Sequence, residues 1–200
     1  MSATVPLHID VVSDPVCPWC YVGKRRLESA IAQRPDLAIE VNWRPFQLSP
    51  DMPRAGRKRL EHYQQIFGAE RAQTIMDSMQ DTGREEGIAF GSSPDAMSPN
   101  TLSAHVLLLW AREQSGIDTN ALVEKLFYAH HVACENIGDP AVLARIAGEV
   151  GMDAVQVLTF HTKAWSSFAP PTCRMPFGQS QDIFRTDPEG RVIPRFWHRL

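Results

Sequence analysis

The stretch Asp-Pro-Val-Cys-Pro-Trp-Cys-Tyr-Val-Gly at residues 14–23 stands between a predicted strand and a predicted helix. Apolar and polar side chains alternate over most of residues 7–12, which is typical of a half-buried strand. Helix-forming residues fill 24–32, and Arg-Pro-Asp at 34–36 ends this run. The order of elements is therefore strand, Cys-x-x-Cys and helix.

A second alternating run at residues 38–43 predicts a strand after this helix. Two strands joined by a helix form a βαβ unit, whose strands lie parallel with a right-handed crossover. From about residue 56 to 152 the strand signals fade, and we predict helices at 58–67, 69–83, 101–111, 119–131 and 139–150. Asn100 is the candidate N-cap of the third of these helices.

Composition and charge exclude several classes of protein. The 200 residues are 44% hydrophobic and 22% charged, which is typical of a globular chain, and the net charge of -3 does not favour nucleic acid as a partner. The first twelve residues do not resemble a signal peptide, and no run of 18 apolar residues predicts a membrane span or a membrane partner. Four cysteines are too few for a disulfide framework, so we expect a cytoplasmic protein.

Two of the four cysteines have a spacing that suits thiol–disulfide exchange. Such exchange needs a thiolate nucleophile and a second thiol close enough to resolve the mixed disulfide. Cys17 would lie at the helix start, where free N–H groups and the helix dipole are expected to lower its pKa. Cys20 would lie one turn further in, be more buried and keep the higher pKa. Pro18 fits the first turn, and Trp19 offers an aromatic surface to a substrate.

A zinc site is the alternative interpretation of Cys-x-x-Cys, and it needs two more ligands. His130 and Cys134 have an i, i+4 spacing that could place them on one helix face. Further candidates are His131, His161 and Cys173. We favour the redox interpretation and expect no metal, because a strand-to-helix junction with Pro-Trp between the cysteines suits a redox pair better.

The last 41 residues differ in composition from the rest. Residues 160–200 contain seven of the 17 aromatic residues and five of the 15 prolines, with six basic against three acidic side chains. The first 159 residues contain 14 basic and 20 acidic ones. Neither helical nor strand periodicity continues through this tail, apart from a strand-like fragment at 191–197.

Four stretches together, in their order along the chain, resemble the DsbA family and specifically its cytosolic FrnE-like branch. They are residues 14–23, Val-Asn-Trp-Arg-Pro-Phe-Gln-Leu at 41–48, Ser-Pro-Asn-Thr-Leu-Ser-Ala-His at 98–105 and Asn-Ile-Gly-Asp at 136–139. This branch is related to 2-hydroxychromene-2-carboxylate isomerase and the kappa-class glutathione transferases. The resemblance covers about residues 5–158 and implies an α/β thioredoxin-like fold with an inserted all-helical domain.

The resemblance also implies roles for individual residues. Cys17 matches the nucleophilic cysteine of the family and Cys20 the resolving one, with Pro18 and Trp19 in the active-site loop between them. Asn100 and His105 match a motif that faces the substrate cleft in relatives, which makes them candidates for substrate binding; a helix cap and an interior histidine are the structural alternatives.

The tail departs from the family pattern. Relatives close the thioredoxin fold with a segment that contains a cis-proline, followed by a β-hairpin and a helix. Pro176 is the candidate cis-proline, but no matching hairpin and helix follow it. We therefore divide the chain into the βαβ half of a thioredoxin-like domain at 1–54, a helical insertion at 55–155 and an atypical tail at 156–200. A shift of reading frame near residues 157–159 and natural divergence are the two explanations of this tail.

The expected function is a thiol–disulfide oxidoreductase that acts on a protein or small-molecule thiol or disulfide. We expect no bound cofactor, although the resemblance allows glutathione as a co-substrate, and a homodimer stays open. The alternatives are a glutathione-dependent isomerase or transferase, and an inactive truncated or frameshifted relative.

Overall fold

The computed structural model of the chain describes residues 6–158 and the backbone of two short strands at 184–186 and 192–194. The first elements are β1 (Leu7–Ser13), α1 (Pro18–Ala32) and β2 (Ile39–Pro45). β1 and β2 pair in parallel, from Leu7 opposite Ile39 to Ser13 opposite Pro45. The predicted parallel βαβ unit is therefore confirmed.

Helices dominate the segment that follows β2. The elements are β3 (Arg57–Lys58), α2 (Arg59–Phe67), α3 (Ala69–Glu85), β4 (Met97–Ser98), α4 (Leu102–Arg112), α5 (Thr119–His131) and α6 (Pro140–Glu149). All five predicted helices are present. The antiparallel pair of β3 and β4 was not predicted, because two residues per strand are too few to show a period of two.

Side-chain caps explain where the later helices begin. Asp118 accepts hydrogen bonds from the N–H groups of Asn120 and Ala121, and Asp139 accepts one from the N–H of Ala141. At α4 the N-cap residue is Thr101, one position after the predicted Asn100. The Asn100 side chain nevertheless accepts the N–H of Leu102 at 3.0 Å, so it satisfies one of the free donors at this helix start.

One cluster of buried residues joins the βαβ unit to the helices. The rings of Tyr21 in α1 and Phe127 in α5 stack with their centroids 5.0 Å apart, and Trp43 in β2 meets Phe127 edge-on at 6.3 Å. The Trp43 indole N–H also donates to the Asn120 side chain at 3.1 Å. The core is thus continuous across residue 55, where the predicted boundary between the first two segments lies.

A buried charged group lies where α1 packs against α5. Lys24 is buried, and its Nζ atom lies 2.9 Å from Oε2 of Glu124. The Tyr21 hydroxyl donates to Oε1 of Glu124 at 2.8 Å, and Arg25 and Glu28 complete the cluster through further ion pairs. These contacts hold α1 against α5.

Only short pieces of the tail are described. β5 (Phe184–Thr186) and β6 (Val192–Pro194) pair antiparallel in a two-stranded sheet of their own, and β6 falls within the predicted strand-like fragment. Pro176, His161 and Cys173 lie outside the described residues, and so does most of the segment on which the reading-frame hypothesis depends. No helix in the described part of the chain is long and apolar enough to cross a membrane.

Candidate active site

The two cysteines of the motif stand at the N-terminal end of α1. Cys17 is the N-cap residue with extended backbone angles, and Pro18 follows it at the start of the helix. The N–H of Cys20 donates to the Cys17 carbonyl oxygen at 3.1 Å, which places Cys20 one turn into the helix. The predicted location of the pair at a strand-to-helix junction is confirmed.

The burial of the two cysteine residues is the reverse of the prediction. Cys17 is buried, with 4% of its surface exposed, whereas Cys20 is half-buried. The reason is tertiary: Cys17 contributes to the same core cluster as Trp19 and Tyr21. A position at a helix start therefore does not imply exposure here.

The two pKa values also run opposite to the prediction. A hydrogen bond from the Cys17 thiol to the Cys20 sulfur raises the pKa of Cys17 well above its ordinary value, and burial raises it further. The same hydrogen bond lowers the pKa of Cys20 despite its desolvation, aided by the Asp14 backbone N–H and the Ser13 hydroxyl. The N–H of Cys20 does favour a Cys17 thiolate, but it is outweighed. When the pair carries a single proton, that proton therefore lies on Cys17.

Cys17 opens onto a pocket between α1 and α2. The pocket has a volume of about 80 Å³. Its lining is mostly apolar and includes Leu48, Met52, Tyr63, Ile66 and Phe67 beside Cys17, whereas Cys20 is not part of it. Burial raises the pKa of Tyr63 to about 12, so its phenol stays neutral at physiological pH. The arrangement makes Cys17 part of the wall of this pocket.

The other predicted site residues surround this pocket at different depths. Pro18 and Trp19 line it, but Trp19 is 4% exposed and so forms a wall, not the open aromatic surface that the sequence predicts. Asn100 and His105 are not part of the lining. The Asn100 amide donates to the carbonyl oxygen of Met52, a lining residue, at 2.7 Å. His105 is buried. Their role in substrate binding stays a prediction.

Asp14 is a site residue that the sequence analysis missed. Its side chain is 1% exposed, lines the pocket and accepts the N–H of Leu48 at 2.8 Å. Its charge acts on both thiols and disfavours their ionisation. In the sequence the Asp-Pro pair indicates only the end of a strand, although its position directly before the motif is a signal that could have identified it.

Among the residues proposed for zinc, those that the structure describes do not come together as ligands. α5 ends at His131, and Cys134 has a φ of 57°, so His130 and Cys134 do not share a helix face. Within the described residues no group of three or more His, Cys, Asp or Glu side chains is arranged to hold a metal ion. His131 instead donates from Nε2 to the Pro15 carbonyl oxygen at 2.9 Å, two residues before Cys17.

Comparison with known proteins identifies the family of such a site. The sequence model of the DSBA-like thioredoxin domain matches residues 8–166. YwbO, an uncharacterized protein of Bacillus subtilis, is 30% identical over 148 residues, which is 74% of this chain and 68% of the relative.

Solved structures share the fold. A probable DsbA oxidoreductase from Streptomyces coelicolor superimposes with a TM-score of 0.68 at 22% identity, over 94% of this chain and 99% of the other. The cytosolic disulfide reductase DsbM of Pseudomonas aeruginosa gives a TM-score of 0.55 at 20% identity, over 80% and 71% of the two chains. A 2-hydroxychromene-2-carboxylate isomerase gives 0.57 at 14% identity, over 80% and 74%. The predicted thioredoxin-like fold is confirmed.

Proposed function

The chain belongs to the DSBA-like thioredoxin-domain family, and from this premise we propose that it is a thiol–disulfide oxidoreductase that works through Cys17 and Cys20. The observation that carries the proposal is the position of Cys17: it lines the pocket while its thiol is hydrogen-bonded to the second sulfur of the motif. Nucleophile and resolving thiol are thereby one helical turn apart, with only the nucleophile facing the substrate.

The first step starts from the pair after it has lost one proton to the solvent, with the remaining proton shared between the two sulfurs. The Cys17 thiol passes this proton along the hydrogen bond to the Cys20 thiolate, which leaves a thiolate on Cys17. This thiolate attacks one sulfur of a substrate disulfide, forms a mixed disulfide and releases the other substrate sulfur as a thiolate. Cys20 then attacks Cys17, so the Cys17–Cys20 disulfide forms, and the second substrate sulfur takes up the proton of Cys20 and leaves as a thiol. The substrate disulfide is reduced by two electrons, and the cysteine pair is oxidised by the same two electrons.

The lining of the pocket favours substrates that carry an apolar group next to the reacting sulfur. The walls contributed by Met52, Ile66 and Phe67 gain contact with apolar atoms and offer no partner to a charge. We expect a disulfide with aliphatic or aromatic substituents to react faster than a matched disulfide with negatively charged substituents, because the Asp14 carboxylate also lines the pocket.

The experiment that tests the function compares three cysteine variants in disulfide exchange. Cys17→Ala should abolish the reaction, and Cys20→Ala should stop it at a trapped mixed disulfide on Cys17. Cys134→Ala is the matched control, because this half-buried free thiol lies after α5 and outside the pocket lining. Exchange that persists in Cys17→Ala contradicts the proposal.

The same variants separate this function from a glutathione-dependent isomerase or transferase. That alternative needs no resolving thiol, so turnover of an isomerase substrate that survives Cys20→Ala would favour it. Glutathione as a co-substrate also stays a prediction, and glutathionylation of Cys17 in Cys20→Ala is its direct measurement.

A cytoplasmic location is part of the proposal. It is supported by the small number of cysteines and by the fold shared with a cytosolic disulfide reductase. Fractionation of cells that express the full chain tests it, and recovery outside the cytoplasmic fraction would contradict it.

A further inference from the structure

The size of the pocket beside Cys17 limits the group that a substrate can place there. The pocket has a volume of about 80 Å³. An apolar protein cavity of roughly 150 Å³ holds one benzene molecule. The pocket beside Cys17 is only about half as large as that cavity. A short aliphatic chain therefore fits it better than an aromatic ring does.

Two buried side chains line this pocket without belonging to the main core. Ile75 on α3 is 4% exposed and Met52 is 7% exposed, and both are lining residues. Neither is part of the core cluster, to which Cys17 and Trp19 on the same lining belong. Ile75 and Met52 are therefore buried around the pocket, while the core contributes the wall that contains the reacting sulfur.

Ile75 is the less adaptable of these two residues. The Met52 backbone is fixed, because its N–H donates to the Ser49 carbonyl oxygen at 3.1 Å and its carbonyl oxygen accepts the Asn100 amide at 2.7 Å. The unbranched Met52 side chain can still change its shape. Ile75 is β-branched and lies within a helix, where one rotamer is strongly preferred. A substrate group that is too large therefore meets a stiff wall at Ile75.

The charges of the lining select against anionic groups as well. Asp14 contributes a carboxylate to the pocket, and no lysine or arginine is among the lining residues that the structure describes. Burial lowers the pKa of His62, which also lines the pocket, so its ring is neutral at physiological pH. An anionic substrate group would lose its hydration there and gain no ion pair.

We propose that Ile75 is a specificity-determining residue, and that the substrate is a disulfide with a short, uncharged aliphatic group on the sulfur that Cys17 attacks. This inference rests on the proposed function and adds the size of the substrate group to it. An aromatic ring at the same position would have to displace Ile75, so it enters the pocket poorly and slows the attack.

The inference is tested with two mixed disulfides that have the same leaving group. One sulfur carries a pyridyl group, and the other carries either a propyl or a naphthylmethyl group. The Cys17 thiolate attacks the sulfur with the variable group and forms a disulfide bond to it. The bond between the substrate sulfurs breaks, and the pyridyl sulfur leaves with its electron pair as a coloured thione.

The rate of thione release from reduced protein measures this attack. Release by Cys17→Ala is subtracted, and each rate is divided by the rate of the same disulfide with free mercaptoethanol to remove differences in intrinsic reactivity. We expect the unsubstituted protein to favour the propyl disulfide about tenfold, because one methylene in a hydrophobic pocket already changes a rate by that factor.

Replacement of Ile75 should remove this preference. Ile75→Ala deletes the side chain beyond Cβ, so the naphthylmethyl disulfide should gain access and the ratio of the two rates should fall to about one. Ile75→Val removes less and should lower the ratio to a smaller extent. Because it disturbs the fold less than Ile75→Ala, it decides the case if that variant does not fold.

The matched control is Met79→Ala. Met79 lies one turn after Ile75 on α3 and is 5% exposed, but it belongs to the core cluster and not to the pocket lining. Met79→Ala should lower the stability of the protein and keep the tenfold preference. Loss of the preference in this control would overturn the role of Ile75, because a general loosening of α3 would then explain it.

Two further results overturn the inference. One is an unchanged preference in the folded Ile75 variants, and the other is equal reactivity of the two disulfides in the unsubstituted protein. In either case a release that depends on Cys17 leaves the proposed function standing. A release that is equally fast in Cys17→Ala defeats the proposed function instead.

Discussion

The imidazole Nε2 of His131 donates a hydrogen bond to the carbonyl oxygen of Pro15 at 2.9 Å, across 116 residues of sequence. Both partners are buried, and the bond ties the end of α5 to the loop that enters the redox motif. The His131 ring also stacks on Tyr21 and meets Phe90 edge-on, at centroid distances of 6.0 and 5.6 Å. The position of Cys17 therefore depends on the helical segment as well as on its own strand and helix.

Loss of the bond between His131 and Pro15 should impair both stability and reaction rate. His131→Ala removes the donor and leaves a cavity among aromatic rings, so we expect a loss of about 3 kcal/mol in the free energy of unfolding. The displaced loop should slow attack by Cys17 about tenfold. His131→Gln can still donate to Pro15, so it should lose less stability and less of the rate of attack than His131→Ala. Equal effects of the two variants on attack would show that the bond does not position Cys17.

The stability of the protein should fall as the pH drops below about 6.5. Burial lowers the pKa of His131 to about 3 and that of His130 well below its ordinary value, while an unfolded histidine titrates near 6.5. Between these limits the unfolded state binds more protons, so each histidine removes about 1.4 kcal/mol of stability per pH unit as the pH falls.

The measurement is urea unfolding as a function of pH. His131→Gln should reduce the slope of stability against pH by about 1.4 kcal/mol per unit below pH 6. Above pH 7 both histidines are neutral in either state, and the slopes of the two proteins should agree. An unchanged slope at acid pH would mean that the His131 ring is protonated in the folded protein.

Replacing one cysteine of the pair should change the pKa of the other, and the direction should be opposite for the two variants. In Cys20→Ala the hydrogen bond that raises the pKa of Cys17 is gone, so the pKa of Cys17 should fall toward its ordinary value. In Cys17→Ala the Cys20 sulfur loses the donor that stabilises its thiolate, so the pKa of Cys20 should rise. The rate of alkylation against pH measures both, because only the thiolate reacts. A rise in the Cys17 pKa in Cys20→Ala would contradict the proton arrangement described for the pair.

Removal of the Glu124 charge should destabilise the contact between α1 and α5. Glu124→Gln leaves the buried Lys24 with Glu28 as its remaining carboxylate partner and weakens the contact with the Tyr21 hydroxyl. We expect a loss of about 2 kcal/mol in the free energy of unfolding, measured by urea denaturation.

Glu149→Gln is the matched control for this prediction. Glu149 pairs with Lys125 and Arg145 on the surface, with 36% of its side chain exposed, and such pairs contribute less than about 1 kcal/mol. Equal losses in the two variants would show that burial of Lys24 adds nothing to its ion pair.

The local elements of the fold could be predicted because their signals are local. The alternation in β1 and β2 and the helix-forming run after Cys17 each lie within a few residues of the structure that they specify. Asp118 and Asp139 cap α5 and α6 through N–H groups two or three residues away. For the same reason the residues on either side of the cysteine pair are enough to place it at a helix start.

The sequence by itself determined the βαβ unit, the order of the helices, the family resemblance and the two candidate redox cysteines, Cys17 and Cys20. Only the tertiary structure decided that Cys17 is the more buried of the two cysteine residues and that the pKa of Cys17 is raised while that of Cys20 is lowered. It also decided that the Asp14 carboxylate lies 3.5 Å from the His105 ring. These properties depend on residues far apart in the chain, such as position 14 against 105 and Pro15 against His131. The spacing of residues in the sequence does not predict such contacts. The burial and the pKa of a group depend on what packs around it in the folded protein, and not on its neighbours in sequence.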